Sequence, residues 1–420
     1  MKRGHSNSKS QPLVFVSGVS GFIGGHIVKT LLEHGYNVRG SVRSAKPKAY
    51  QYLFDVLSQI NTERSQESQP ELTFELVECD LTSDKNWAEA IEGCQYVVHT
   101  ANPMPDSKGP DNKSPQTDDD FIKPATEGML RVMKACKSHG KSLKRVVYLS
   151  SIGAMNWELW DQIAIKRPKV VISSGNDWTP VDGRCHVPPY IKSKTLAEET
   201  AWAFVKENKP SFELVCVHPT LVIGPILNGR LSDSMTMIKA LLSGDYPFIP
   251  KVLFSIVDVR DVALAITLAL TSPKANAKRY LLSGESVYFD DIAKLLESKY
   301  GNTYPVPTLH CPTFLVDLIS KVDPLVRDFV APICDVARFV ETTPSKRDLG
   351  MIYLPVHQTL LEAAQSVIDN KLVTPPNALK YYSVKYFLKH NVHADEHAQI
   401  NCYTSYHSFF VFLDDLQFNA

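Results

Sequence analysis

Hydrophobic and polar positions follow two alternating patterns through the first 225 residues. Short apolar runs occur in "PLVFVSG", "NVRGSVR", "LTFELVECDL", "QYVVHTA", "KRVVYLSS" and "FELVCVHPTLVIG". Between them lie amphipathic stretches, among them "FIGGHIVKTLLEHG", "AYQYLFDVLSQI" (ended by a polar break at "NTERSQESQP"), "KNWAEAIEG" and "DDDFIKPATEGMLRVMKACKSHG". Strands that alternate with helices indicate βαβ units. We therefore predict an α/β fold with a doubly wound parallel sheet covered on both faces.

The pattern becomes less regular after residue 225. Helices are predicted at "LSDSMTMIKALLSG", "YFDDIAKLLESKYG" and "PTFLVDLISKVDPLVRDFV", and a strand at "KRYLLSG". We divide the chain into a polar extension (1–11), a cofactor-binding domain (12–225), a smaller lobe (226–373) and a tail of unknown role (374–420). Some segments of the smaller lobe are expected to return to the main domain.

Composition and charge narrow the range of partners. The chain has 420 residues, and 45 Lys+Arg balance 45 Asp+Glu. Without a basic stripe, nucleic acid and membranes are not expected as partners. No segment of about 18 apolar residues and no signal-peptide core occurs. The eight cysteines are scattered, which indicates reduced thiols of a cytoplasmic protein. His390, His393 and His397 lack completing ligands, so no metal site is expected.

Three glycines follow the first strand directly and open the first helix. In "FVSGVSGFIGGH" they are Gly18, Gly21 and Gly24. Glycines at this spacing allow a sharp turn and close approach to a pyrophosphate, which the helix N-terminus then binds. The alternative for these glycines is a purely structural role, in a tight turn that binds no ligand. In the first βαβ unit the motif predicts a dinucleotide site.

The second strand distinguishes between the two nicotinamide dinucleotides. NAD sites usually place an acid at its end to hold the ribose hydroxyl groups, yet no Asp or Glu occurs between Gly35 and Phe54. Arg39 and Arg43 occur there instead. Because guanidinium pairs well with phosphate, we predict NADP(H), with Arg43 on the 2′-phosphate and Arg39 on the solvated strand edge.

Asp80 and Leu81 close the third strand in "VECDL". They lie where the adenine ring of the dinucleotide is expected. Asp80 has an alternative role as a helix cap.

Tyr190 and Lys194 lie in "PPYIKSKTLAEETAWAF", which should open a helix after the prolines. Their i, i+4 spacing places them on one helix face. An ammonium beside a phenol lowers its pKa, so Tyr190 could exchange a proton near neutral pH. By itself the pair is a common surface pattern.

The serines of "RVVYLSSIGA" end the fifth strand at the carboxyl edge of the sheet, where ligands of such folds bind. Ser151 is expected to donate a hydrogen bond to a substrate oxygen. Ser150 is the alternative, and both could instead satisfy a turn.

These motifs, together with "CDL", "HTANP", "YLSS" and "HPTLVIGP", make residues 12–372 similar to the extended (atypical) short-chain dehydrogenases/reductases. The chain most resembles the dihydroflavonol-4-reductase-like branch that includes yeast NADPH-dependent methylglyoxal/isovaleraldehyde reductases. "FVSGVSGFIGGHIV", "GSVRS" and "AWAFVKEN" carry that likeness. The resemblance implies a Rossmann-type doubly wound sheet, a smaller C-terminal substrate-binding lobe and an NADP(H)-dependent carbonyl reductase.

The resemblance also implies roles for individual residues. Ser151, Tyr190 and Lys194 form the catalytic set, with Lys194 also binding the nicotinamide ribose. The implied cofactor contacts are Gly18, Val19, Ser20, Gly21, Phe22, Ile23, Gly24, Arg43, Lys48, Asp80, Leu81, Tyr190, Lys194, Val222 and Ser234. Pro47 stands where the subgroup has a phosphate-binding lysine, so Lys46 or Lys48 could substitute. His218 replaces a more usual Asn or Arg.

The substrate is less defined by the sequence. Trp157, Trp160, Trp178, Met104 and Phe254 are candidates for a hydrophobic pocket, although each could equally be core.

Two further polar features are given structural roles. His99 is expected to be a structural residue beside the cofactor. Asp118–Asp120 supply favourable charge at a helix start.

The expected partner is a small carbonyl compound, and the chain is expected to be a monomer or homodimer. The alternatives are a 3β-hydroxysteroid dehydrogenase or nucleotide-sugar epimerase of the same superfamily, which usually prefer NAD, and a non-catalytic NADP sensor.

Overall fold

The computed structural model describes residues 11–103, 117–155, 170–173, 177–246, 248–322 and 326–375. The predictions for Met104, Trp157, Trp160 and the three histidines at 390–397 lie outside these residues, as does almost all of the predicted tail.

The main sheet contains seven strands within the described residues, and every neighbouring pair is parallel. The strands are β1 (Leu13–Ser17), β2 (Asn37–Val42), β3 (Phe74–Glu78), β4 (Tyr96–His99), β5 (Arg145–Leu149), β7 (Glu213–Pro219) and β11 (Arg279–Leu282). Their spatial order is β11-β7-β5-β4-β1-β2-β3. The order reverses between β1 and β4, which makes this crevice the topological switch point of a doubly wound sheet. The predicted fold class is confirmed, and β11 is a segment beyond residue 225 that joins the main sheet.

The helices fall on both faces of this sheet and in the smaller lobe. They are α1 (Phe22–Glu33), α2 (Gln51–Gln66), α3 (Trp87–Ile91), α4 (Asp118–His139), α5 (Pro189–Asn208), α6 (Asp233–Ser243), α7 (Val259–Thr271), α8 (Phe289–Tyr300), α9 (Thr313–Ile319), α10 (Thr343–Leu349) and α11 (Val356–Asp369).

Strand β1 shows how the two faces are filled. Val14 and Val16 point into one apolar cluster, which also contains Ile27 of α1. Phe15, between them, points into the opposite cluster together with Met129 of α4. Alternate residues of a strand face opposite sides, so a strand buried on both faces is an uninterrupted apolar run. This explains the "LVFV" pattern of the sequence.

The smaller lobe has its own apolar core and three small sheets. The core combines Ile223, Leu241, Ile256, Phe289 and Leu360 with their neighbours. The strands are β8 (Leu221–Ile223), β10 (Leu253–Asp258) and β12 (Ser286–Tyr288) in one sheet, β9 (Ile249–Pro250) with β13 (His310–Cys311), and β6 (Val170–Ser173) with β14 (Ala337–Val340). The β6–β14 pair was not predicted.

Two predicted boundaries are wrong. Helix α2 continues to Gln66 through the stretch interpreted as a polar break, because those side chains lie on the outer surface, where polar residues are compatible with a helix. The strand predicted across "FELVCVHPTLVIG" is two strands: the Thr220 amide donates to the Leu282 carbonyl, and β8 then pairs with β10 in the smaller lobe.

The predicted helix across "PTFLVDLISKVDPLVRDFV" is also wrong as a single element. Helix α9 ends at Ile319, and Val326–Val330 forms a separate short turn. The proline at position 324 of the sequence removes a backbone donor and disfavours a continuous helix there, although α4 accommodates Pro124.

None of the helices in the described ranges has both the length and the apolar character needed to cross a bilayer. The cysteines in these ranges are free thiols, and these ranges contain no cluster of His, Cys, Asp and Glu suited to a metal ion.

Candidate active site

A large cleft of about 1310 Å³ opens at the carboxyl edge of the main sheet. Residues that directly follow β1, β2, β4, β5 and β7 line it, which places it across the topological switch point. Its volume exceeds the ~300–1,000 Å³ typical of small-molecule pockets, so a dinucleotide and a second small molecule can share it.

The glycine turn forms one end of the cleft. Gly18 adopts a φ of +72°, and a Cβ there would lie 3.1 Å from the Ala101 Cα. A Cβ on Gly24 would overlap the Gly18 carbonyl oxygen. Helix α1 begins after Gly21, which provides no side-chain cap for the first amides of the helix. The turn therefore fits a pyrophosphate group.

The other predicted members of this turn divide into two groups. Ser20, Gly21, Phe22 and Ile23 line the cleft. Val19 does not, because its side chain is fully buried beneath the turn, against Gly40 of β2.

Arg43 lines the cleft immediately after β2 and is exposed. Arg39 has a different role: its guanidinium donates to the Glu75 carboxylate and, at 3.0 and 2.8 Å, to the carbonyls of Ala90 and Glu92. It therefore ties β2 to the loop after α3 and is not the solvated strand edge that was expected. Lys48 does not line the cleft.

Asp80 and Leu81 line the cleft beyond β3. The Asp80 carboxylate accepts hydrogen bonds from the Thr82 amide at 2.7 Å and the Thr82 hydroxyl at 2.6 Å, so it caps a turn and not a helix. Leu81 packs against Gly128 of α4, where a Cβ would overlap its side chain.

Tyr190 and Lys194 both line the same cleft. Pro189 occupies the first turn of α5, so the helix begins just before the pair, as predicted. The Lys194 ammonium is buried; it donates to the Leu149 carbonyl at 2.9 Å and lies 5.5 Å from the centre of the Tyr148 ring. Burial lowers the pKa of Lys194 to about 7, an effect that the nearby Glu198 carboxylate partly opposes.

The expected effect of Lys194 on Tyr190 is wrong in this structure. The pKa of Tyr190 is raised, first by burial of the phenol and then by the Asp233 carboxylate across the cleft. A buried lysine whose own pKa is near 7 carries only a partial charge at neutral pH, so its electrostatic pull on the phenol is weak.

The two serines after β5 have different environments. Ser150 is buried, and its hydroxyl donates to the Glu198 carboxylate at 2.7 Å. Ser151 is half-buried in the cleft wall, and its hydroxyl oxygen accepts from the Gly153 amide at 3.1 Å. The Ser151 hydroxyl hydrogen is therefore the one that can point into the cleft.

Val222 and Ser234 line the cleft from the smaller lobe, and the Ser234 hydroxyl donates to the Val222 carbonyl at 2.6 Å. Asn228, between them, was not identified from the sequence. Its side-chain amide donates to the Ser20 carbonyl at 3.1 Å and so joins this loop to the glycine turn.

His99 is a structural residue, as expected. Its Nδ1 lies 2.8 Å from the Ser17 hydroxyl, which also accepts from the amides of Thr100 and Ala101. Because the Ser17 oxygen already accepts from these two amides, its hydroxyl proton is donated to Nδ1, which is therefore the acceptor. Burial lowers the pKa of His99 to about 3, so the ring is neutral.

Of the candidate pocket residues within the described ranges, neither lines the cleft. Trp178 stacks on the Arg279 guanidinium at 3.8 Å, and Phe254 packs edge-to-face on Phe289 in the smaller lobe. Asp118–Asp120 begin α4, where Asp120 forms a capping box with Thr117, as expected for charge at a helix start.

A glycine turn at the switch point of a doubly wound sheet, with Ser151, Tyr190 and Lys194 lining the same cleft, defines a dinucleotide-binding protein of the Rossmann class. Residues 14–282 match the model of the NAD dependent epimerase/dehydratase family. The chain belongs to this family, and the predicted family resemblance is confirmed.

Relatives and solved structures agree with this assignment. The chain is 31% identical over 380 residues to a bifunctional dihydroflavonol 4-reductase/flavanone 4-reductase of Malus domestica, covering 86% of this chain and 98% of the relative. Cinnamoyl-CoA reductase CAD2 of Medicago truncatula is 31% identical over 369 residues, covering 87% and 98%. Yeast methylglyoxal/isovaleraldehyde reductase complexed with NADPH has a similar fold, with a TM-score of 0.63 at 24% identity, covering 85% and 98%.

Proposed function

We propose that this chain is an NADP(H)-dependent oxidoreductase that reduces an aldehyde or ketone to an alcohol. The observation that carries the proposal is the convergence of Ser151, Tyr190 and Lys194 on the cleft that the glycine turn opens. The family assignment and the reductase names of its relatives support it.

The cofactor would lie along the cleft. Amides at the start of α1 would bind the pyrophosphate, Arg43 the 2′-phosphate, and Asp80 with Leu81 would flank the adenine. When bound, NADPH supplies the hydride. The absence of any acid between residues 35 and 54 favours NADPH over NADH.

The protein's own groups would manage the carbonyl oxygen. Ser151 donates a hydrogen bond to it and so stabilises the charge that develops there. Tyr190, whose raised pKa keeps the phenol protonated at neutral pH, donates the proton that completes the alcohol. Lys194, held on the Leu149 carbonyl, offers its remaining N–H bonds to the nicotinamide ribose.

The test is turnover by purified protein with NADPH and a panel of small aldehydes and ketones. Tyr190→Phe should lower kcat by roughly a hundredfold or more, because general acid catalysis contributes about 10²–10⁴-fold. Tyr96→Phe is the matched control, since Tyr96 is buried in β4 away from the cleft. Tight NADPH binding without turnover of any carbonyl would indicate a sensor, and a tenfold preference for NADH would favour the steroid dehydrogenase or epimerase alternative.

A further inference from the structure

Glu198 is a fully buried carboxylate one helical turn beyond Lys194 on α5, and it does not line the cleft. Its oxygens accept hydrogen bonds from four side chains. The donors are Ser150 at 2.7 Å, His218 Nε2 at 2.7 Å, Arg279 Nε at 2.7 Å and Trp202 Nε1 at 3.2 Å. A carboxylate this well satisfied stays ionised: burial raises its pKa, but the hydrogen bonds and charges of its partners His218 and Arg279 outweigh burial and hold the pKa far below the usual range.

The charges in this cluster balance. Burial lowers the pKa of His218, so its ring is neutral and donates from Nε2. Arg279 then provides the positive charge that is paired with Glu198. A buried ion pair of this kind is a weak source of stability, because desolvation offsets most of its attraction. Stability therefore does not explain why this buried ion pair is present. Its position next to Lys194 and Ser150 suggests a role in the active site.

The end of β5 shows what the cluster can do. Three consecutive residues there each make one defining contact. The Leu149 carbonyl accepts from the Lys194 ammonium, the Ser150 hydroxyl donates to Glu198, and the Ser151 hydroxyl faces the cleft. The backbone amides of Ser150 and Ile152 bind the carbonyls of Val217 and Pro219, and the Ser150 hydroxyl adds a side-chain attachment to the segment that carries both the acceptor of Lys194 and the predicted substrate-binding hydroxyl.

We propose that Glu198 is a positioning residue of the active site: its carboxylate anchors Ser150 and thereby orients the Leu149 carbonyl and the Ser151 hydroxyl. The inference rests on the proposed function for its catalytic consequence. It assigns the two serines separate roles, with Ser150 an anchor and Ser151 the donor to substrate.

Glu198 also acts on Lys194 through charge. The groups that contact Lys194 or act on it electrostatically are the Leu149 carbonyl and Tyr148 ring of β5, His99 of β4 and Glu198 of its own helix. Those that face Glu198 are Ser150 and Tyr148 of β5, Cys216 and His218 of β7, Arg279 of β11 and Trp202 of α5. Of the groups facing Lys194, Glu198 carries the negative charge, and it raises the pKa of the ammonium. Without it the Lys194 pKa should fall.

Ser150→Ala removes only the anchor and keeps the Glu198–Arg279 pair. We expect kcat to fall roughly tenfold to a hundredfold, as for a small misplacement of reacting groups, with the NADPH Kd within about twofold of wild type. A role confined to folding would lower the melting temperature without this division between kcat and cofactor binding. Wild-type kcat in folded Ser150→Ala overturns the proposal.

Glu198→Gln removes the charge and tests the second effect. The titration of Lys194, followed by NMR, should move to lower pH, and the fall in kcat with rising pH should move with it. Asp348→Asn is the matched control, because Asp348 is a buried carboxylate paired with Lys278 and Arg347 outside the cleft. It should lower stability and leave the titration unchanged.

These readouts separate the two proposals. A wild-type protein without turnover would refute the proposed function, whereas the Lys194 titration would still test the role of Glu198. An unmoved Lys194 titration in folded Glu198→Gln overturns the charge effect of Glu198 on Lys194 even if the enzyme is active, whereas the anchoring role is decided by Ser150→Ala. If Glu198→Gln does not fold, Ser150→Ala decides the matter.

Discussion

Arg39 and Arg43 show how two residues of one type, one within β2 and one just past its end, acquire different roles. The Arg39 side chain is largely buried, and its guanidinium donates hydrogen bonds to Glu75 and to backbone carbonyls. These bonds hold β2 in place. Arg43 lies past the end of the strand, where the chain enters the cleft. Only the second is placed to select between phosphorylated and unphosphorylated cofactors.

We expect Arg43→Ala to raise the Kd for NADPH by roughly tenfold to a hundredfold, because a charge-assisted hydrogen bond contributes about 1.5–3 kcal/mol. The Kd for NADH should remain unchanged. Fluorescence titration of both cofactors measures the effect, and Lys48→Ala is the control, since Lys48 does not line the cleft. Equal weakening of both cofactors would show that Arg43 acts on the fold of the turn and not on the 2′-phosphate.

At the scale of elements, the loop between β8 and α6 connects the smaller lobe to the glycine turn. Asn228 donates to the Ser20 carbonyl at 3.1 Å, and its own oxygen accepts from the Arg230 amide at 3.0 Å. Since the Ser20 carbonyl belongs to the turn that would hold pyrophosphate, the loop restrains the cofactor site from outside the main domain.

Asn228→Ala should weaken NADPH binding several-fold, because the turn must then be ordered by the ligand itself. Asn61→Ala provides the comparison. The Asn61 side-chain amide donates to the Leu72 carbonyl and its oxygen accepts from the Leu72 amide, both at 2.9 Å, and Asn61 does not line the cleft. That control should lower the melting temperature and leave the Kd unchanged. If both variants bind NADPH like wild type, the loop does not restrain the turn.

The elements that the sequence predicts best are those whose pattern is local. The strands of the main sheet and the start of α5 follow from apolar runs, prolines and glycines that act on their own neighbours. The β6–β14 pair instead joins segments that are distant in the sequence, with Val170 in register with Ala337. No local pattern indicates such a partner.

The candidate site shows the same division. Gly18, Tyr190 and Lys194 were identified because spacing along one turn or helix places them together. Glu198 continues the i, i+4 series of Tyr190 and Lys194, so helix periodicity could have indicated it. Asn228 could not be identified this way, because its partner Ser20 is distant in sequence and the contact depends on how the two lobes pack.

At the scale of the whole molecule, two of the buried histidines that the structure describes, His26 and His99, link folding to pH. His26 of α1 lies 2.9 Å through Nε2 from the Pro225 carbonyl and joins the first helix to the start of the smaller lobe. His99 joins β4 to β1 through Ser17. Burial lowers the pKa of His26 to about 4 and that of His99 to about 3, so both are neutral in the folded chain at neutral pH.

The sign of the effect follows from proton binding. Between the unfolded pKa of about 6.5 and the folded values, the unfolded chain binds more protons, so stability falls as the pH falls. We expect His26 alone to account for about 2–3 kcal/mol of lost unfolding free energy between pH 7.5 and 4.5. Urea unfolding at both pH values measures it. His26→Gln should remove that share of the pH dependence, whereas His357→Gln, at an exposed position, should not. If folded His26→Gln shows the same difference in unfolding free energy between the two pH values as wild type, His26 is already protonated in the native chain or reaches water there. The junction between helix α1 and the smaller lobe would then be open.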